Sequence, residues 1–150
     1  MSIVLVVASA DDADKLATLR VNAMRESLEA MGLFDPSRAR ARFLDRFDPS
    51  VTYKIMRGQH IAGFFVLKSY PDHLHLDHLY VANAEQGKGV GREVMEYVKS
   101  CSREQSLPVR LCALNKSVAN KFYANQAFKV THTDKLDTYY EYDPMQQLLT

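Results

Sequence analysis

The chain is poor in cysteine: it has only Cys101 and Cys112, which excludes a disulfide framework and a Cys-rich zinc site. Two reduced, buried thiols in a reducing compartment are expected instead. An excess of charge is missing too. Lys and Arg total 19 against 18 Asp and Glu, a formal net charge of +1, so no global field draws the protein to nucleic acid or to an anionic membrane. Recognition by charge must then be local. No apolar run reaches the roughly 18 residues a membrane span needs. The N-terminal "MSIVLVVASA" lacks a basic leader and reads as a first strand, not a signal. Repeats, low-complexity tracts and linkers are absent. One cytoplasmic domain over residues 1–150 is expected, with 47% hydrophobic residues for its core.

What is present is a succession of clear periods. Ser9, Asp11, Asp12 and Asp14 open a helix whose Leu16, Leu19, Ala23, Met24, Leu28 and Met31 recur at helical spacing before Gly32. Pro36 and Pro49 bracket a second helix, with Ala39, Phe43 and Phe47 on one face and Arg38, Arg42 and Arg46 on another. From Val51 two β-rich runs meet at Arg57-Gly58-Gln59 as a hairpin, and "HLHLDHLYVA" alternates as a further strand. A helix over Val90 to about Gln105, a strand from Pro108, a helix over Val118–Asn125 and two closing strands complete the chain. The order β, α, α, β, β, β, α, β, α, β, β predicts a mixed α/β domain.

The strand that ends near Val81 runs into "EQGKGVG", where Gly87, Gly89 and Gly91 open a helix. Glycines at such a junction let main-chain N–H groups and the positive end of the helix dipole face a phosphate. The spacing is G-x-G-x-G, which fits neither the dinucleotide fingerprint nor the P-loop. Gln86-Gly87-Lys88-Gly89-Val90-Gly91 instead resembles the Q/R-x-x-G-x-G/A signature of the GNAT N-acetyltransferases, which bind the pyrophosphate of acetyl-CoA. "NKSVANKFYANQAF" is similar to that family's later motif through Ala119, Phe122, Tyr123 and Phe128. It departs in having Ala127 where Gly is usual, and Asn115 one residue further from Tyr123 than the pattern.

The resemblance implies a GNAT acyl-CoA N-acyltransferase fold, a central mixed, mostly antiparallel sheet flanked by helices. It also implies acetyl transfer by direct attack of a primary amine within a ternary complex. Main-chain groups of Leu79, Tyr80 and Val81 would meet the pantetheine arm, and N–H groups of Gln86 to Arg92 the pyrophosphate, with Lys88 and Arg92 adding charge. Asn115 would join this cofactor set. Val81 N–H would hold the oxyanion, and Tyr123 would protonate the departing thiolate. Asp77, then His78, then Glu26 are candidate bases; Asp77 and His78 face opposite sides of their strand.

His73, His75 and Asp77 share a strand face but lack a distant fourth ligand, so no metal is expected. The Arg38, Arg42 and Arg46 stripe reads as a solvated face or as the border of an anionic acceptor, and Phe34 and Phe43 as core or as walls of that site. The acceptor is a small-molecule or peptide amine, and the late "TYYEYD" strand offers an edge for pairing with a second copy. A non-catalytic acyl-CoA sensor of the same fold is the alternative reading.

Overall fold

A computed structural model describes residues 2–145. Eleven helices and strands appear in the expected order: β1 (Val4–Val7), α1 (Ala13–Ala30), α2 (Pro36–Arg46), β2 (Thr52–Arg57), β3 (His60–Ser69), β4 (Leu74–Val81), α3 (Val90–Gln105), β5 (Val109–Leu114), α4 (Ala119–Asn125), β6 (Lys129–Thr133) and β7 (Asp137–Tyr142). The strands pair in the order β1-β2-β3-β4-β5-β7-β6. The sheet is mixed, because β4 and β5 run parallel while the β1-β2, β2-β3, β5-β7 and β6-β7 pairs are antiparallel. The chain falls into two compact units, residues 1–67 with 78–90, and residues 68–77 with 91–150. Among the described residues no helix is long and apolar enough to cross a membrane.

In the first unit the local signals act as physics requires. Asp12 Oδ2 accepts Ser9 N–H at 2.8 Å ahead of α1, which ends before Gly32 at φ +69°. Asp35 caps α2 by accepting Arg38 N–H at 3.1 Å, with Pro36 in the first position, where its missing N–H costs nothing. Leu16 and Ala17 of α1, Phe43 of α2 and Phe64 and Val66 of β3 form the core here. Arg38, Arg42 and Arg46 are all exposed, so the arginine stripe is a solvated face.

The β2–β3 hairpin carries a bulge. Ile55 pairs with Gly63 and Met56 with Ile61, which leaves Ala62 as the extra residue, and Ala62 accepts a hydrogen bond from Ala82 N–H at 2.8 Å.

In the second unit, β5 alternates buried Val109, Leu111 and Ala113 with outward Arg110 and Cys112. This alternation corrects the expectation of two buried thiols: Cys112 is exposed and Cys101 half-buried. It also corrects the pairing edge, since β7 lies between β5 and β6 with both of its sides taken, and β6 is the outer strand.

Candidate active site

The glycine cluster serves two different needs. Gly87 and Gly89 both sit at φ +80° with open space where a Cβ would stand, so they are required by conformation and not by crowding. They lie in an exposed loop that ends at buried Val90, the first residue of α3. Gly91 answers to packing. A Cβ there would stand 3.1 Å from Cζ of Phe122 on α4.

The loop is tied down from its flank. Arg57 Nε donates to Glu85 Oε1 at 2.6 Å, Lys88 Nζ stands 3.5 Å from Glu85 Oε2, and Gln86 Nε2 donates to the Val81 carbonyl at 3.1 Å. The Arg57 bond, with Lys88 assisting, holds the Glu85 carboxyl below its usual range, so Glu85 stays charged and keeps both cations beside the glycines. Arg92, in the first turn of α3, is exposed. The loop therefore presents bare main chain and a lysine at a helix N-terminus, an arrangement that suits a phosphate.

The end of β4 meets β3 at Gly63. A Cβ on Gly63 would fall 2.3 Å from the Tyr80 carbonyl oxygen and 3.1 Å from Val81 Cα, so only glycine lets the two strands approach here. Sequence reading missed this residue, although a glycine inside the apolar run from Ile61 to Val66 was a signal for it. Leu79, Tyr80 and Val81 are all half-buried.

His78 sits in an aromatic nest of the first unit. Its ring centroid is 5.9 Å from Phe43, 6.5 Å from Phe64 and 5.5 Å from Tyr80. Its Nδ1 is 3.2 Å from Tyr80 Oη, which donates to Met24 Sδ at 3.3 Å. A thioether only accepts, and a phenol that gives its single proton to sulfur is free to accept from His78 Nδ1–H. This tautomer puts the imidazole lone pair on Nε2.

Asp77, on the opposite strand face, pairs with Lys68 at 3.2 Å and stands 3.8 Å from His75 Nε2. Burial holds His75 below the usual histidine range against the pull of Asp77, which favours its neutral form. His73 binds Asp72 at 2.7 Å and stacks on Tyr70. Among the described residues no cluster of three or more His, Cys, Asp or Glu is arranged to hold a metal. Glu26 is exposed on α1.

Tyr123 is 7% exposed on α4, with its ring centroid 5.5 Å from Phe122 and 5.9 Å from Phe128 and Tyr140. Asn115 holds the β6–β7 turn: its Nδ2 donates to the Asp134 and Lys135 carbonyls, and its Oδ1 accepts from Thr138. Sequence reading also missed Asn120. Its Nδ2 donates to the carbonyls of Leu114 and Ser117, and its Oδ1 accepts from Tyr140 Oη at 2.8 Å, which fixes the start of α4.

Comparison with known proteins agrees with this geometry. A family model for the acetyltransferase (GNAT) domain matches residues 11–149. Among solved structures, the PaiA N-acetyltransferase of Thermoplasma acidophilum in complex with coenzyme A is similar, with a TM-score of 0.79 at 18% identity over 95% of this chain and 99% of that one. An acetyltransferase from Thermus thermophilus gives 0.74 at 19% identity over 95% and 97%. A GNAT-family acetyltransferase from Staphylococcus aureus gives 0.74 at 13% over 95% and 99%. At these identities the likeness is one of fold. No curated protein matches the sequence. The fold and the family match define an acyltransferase. The chain belongs to the GNAT acetyltransferase family.

Proposed function

We propose that this protein moves an acetyl group from acetyl-CoA to a primary amine by direct attack within a ternary complex. The observation that carries the reading is the exposed loop in which Gly87 and Gly89, at φ +80°, lead into α3, in a chain of an acetyltransferase family. Coenzyme A is bound in the similar Thermoplasma acidophilum enzyme, which supports the choice of donor. N–H groups of Gln86 to Arg92 take the pyrophosphate, with Lys88 and Arg92 adding charge. Main-chain groups of Leu79 to Val81 take the pantetheine amides. One domain over residues 1–150 and a cytoplasmic setting belong to the same reading.

The chemistry assigns four roles. The neutral amine attacks the thioester carbonyl, and the oxyanion that develops is held by Val81 N–H. The C–S bond then breaks as Tyr123 gives its proton to the departing thiolate, and a base takes the proton released by the amine. We assign the base to His78 ahead of Asp77 and Glu26, because a hydrogen bond from Nδ1–H to Tyr80 Oη would leave its lone pair on Nε2. Asp77 by contrast is committed to Lys68, and Glu26 is exposed. No metal takes part in this scheme.

Isothermal titration with acetyl-CoA tests the donor. Saturable binding is expected, weakened by Gly89→Val, and a lack of binding at hundreds of micromolar overturns the reading. Tyr123→Phe is expected to lower turnover while cofactor affinity stays near wild type.

A further inference from the structure

One charge in the first unit is buried without a carboxylate partner. Arg20 lies on α1 and is 9% exposed; its Nη1 donates to the carbonyl of Ala39 on α2, and its Nε is buried without a hydrogen bond. Among the described residues no carboxylate lies within ion-pair distance of it. Among the other cations of this unit, Arg25 pairs with Glu29, Arg40 with Asp14, Lys54 with Asp12 and Arg57 with Glu85, while Lys15, Arg38, Arg42 and Arg46 are exposed to solvent. A buried guanidinium with an unmatched N–H is costly, since no counter-charge repays its desolvation. Arg20 also stands one turn after Leu16, on the apolar stripe of its helix, where burial would favour a hydrophobic residue.

The neighbours of Arg20 form a closed circuit. Arg20 binds Ala39, and Phe43 lies one turn beyond Ala39 on α2. Phe43 meets His78, His78 binds Tyr80, Tyr80 binds Met24, and Met24 lies one turn beyond Arg20 on α1. The unmatched guanidinium and the histidine assigned as base are thus linked through the Ala39 carbonyl and one turn of α2 on one side and one turn of α1 on the other.

With Nη1 spent on Ala39, the fork that remains carries the orphaned Nε–H, a shape that matches the two oxygens of a carboxylate. The burial of Arg20 disfavours a dianionic phosphate, whose desolvation costs more than that of a monoanion. We propose that Arg20 recognises a carboxylate carried by the acceptor, so that the substrate is a small amino acid and not a simple amine. The inference rests on the acetyltransferase reading for the word acceptor, but the carboxylate site itself can be tested without it.

The first measurement needs no cofactor. The Nε–H resonance of Arg20 in the full chain, assigned by its loss in Arg20→Lys, is followed while propionate or its neutral isostere propionamide is added at constant ionic strength. A saturable shift with propionate alone is expected. No saturation, or an equal response to propionamide, overturns the proposal.

The second measurement follows CoA release from acetyl-CoA with amino acids and the matching amino-acid amides. Wild type is expected to favour the acids by about 100-fold in kcat/KM, and Arg20→Gln to reduce that ratio to a few-fold with most of kcat retained. Arg20→Lys, which keeps the charge but loses the fork, should fall between them and guards against a folding defect in the glutamine variant. Equal use of acids and amides by wild type overturns the carboxylate assignment while transferase activity stands. Failure of acetyl-CoA to bind overturns the transferase reading and leaves the propionate titration to decide the site.

Discussion

Tyr80 Oη lies 3.2 Å from Nδ1 of His78, with Met24 Sδ 3.3 Å away on the far side of the phenol. The sulfur, which cannot donate, offers the phenol proton an acceptor, and a phenol turned to it is placed to accept from His78 Nδ1–H.

The Nδ1–H form of His78 is accordingly expected to dominate at neutral pH, as read from the nitrogen shifts of its imidazole in a long-range proton–nitrogen spectrum. Tyr80→Phe, which keeps the ring and removes the oxygen, should shift the population toward the Nε2–H form. In turnover the variant should lose about ten-fold in kcat/KM at neutral pH, with KM for acetyl-CoA little changed. Finding wild-type His78 in the Nε2–H form would remove it as the base.

Gly63 predicts a contrast with Gly91. A methyl group at residue 63 would be driven to 2.3 Å from the Tyr80 carbonyl oxygen, and backbone cannot give way as a side chain does. At residue 91 the neighbour is the tip of the Phe122 ring at 3.1 Å, which can yield by a few tenths of an ångström. Gly63→Ala should cost about 3 kcal/mol or more and Gly91→Ala about 1 kcal/mol or less in urea unfolding. Equal costs would mean that the approach of β3 to β4 is not as tight as the bulge at Ala62 makes it.

The order of elements was legible in the chain because each rests on local chemistry. Asp35 and Pro36 start α2, and the switch from helical to alternating spacing at Val51 announces the hairpin. The loop could be read for the same reason, since Gly87 and Gly89 answer to their own φ angles. What the chain did not disclose depends on partners distant in sequence. Gly63 matters only because β4 crosses it, and His78 is singled out only when Tyr80 and Met24 assemble beside it. Cysteine as a residue type favours burial, whereas the position of Cys112 in the alternation of β5 turns it outward.

Cys112 is exposed, yet its thiol is pushed up to about 11, first by partial burial of the side chain and then by the negative charges of Asp137, Asp77 and Asp134. Reactivity follows the thiolate, so exposure alone is a poor guide here. In a Cys101→Ser background, alkylation of Cys112 by iodoacetamide at pH 7.5 should be roughly two orders of magnitude slower than that of an ordinary thiol with pKa about 8.5. The rate should still be climbing with pH above 9, where an ordinary thiol has levelled off. A plateau near pH 9 would show that neither the partial burial nor the three carboxylates hold the thiol protonated.

Ala127 occupies a position that chemistry reserves for glycine. It follows α4 with φ +68°, its N–H bonds the Ala124 carbonyl at 3.3 Å, and Phe128 N–H bonds the Tyr123 carbonyl at 3.2 Å. These two bonds, with the Tyr123 and Phe128 rings 5.9 Å apart, make a Schellman ending in which the left-handed residue carries a Cβ it does not need. A left-handed alanine costs about 1–2 kcal/mol, of which the greater freedom of unfolded glycine returns part to the unfolded state. Ala127→Gly should therefore stabilise the fold by about 1 kcal/mol and raise Tm by about 2–4 °C. Because the same turn anchors the carbonyl of Tyr123, turnover should hold or rise with it. A lower Tm would mean that the alanine methyl makes a contact worth more than the strain it imposes.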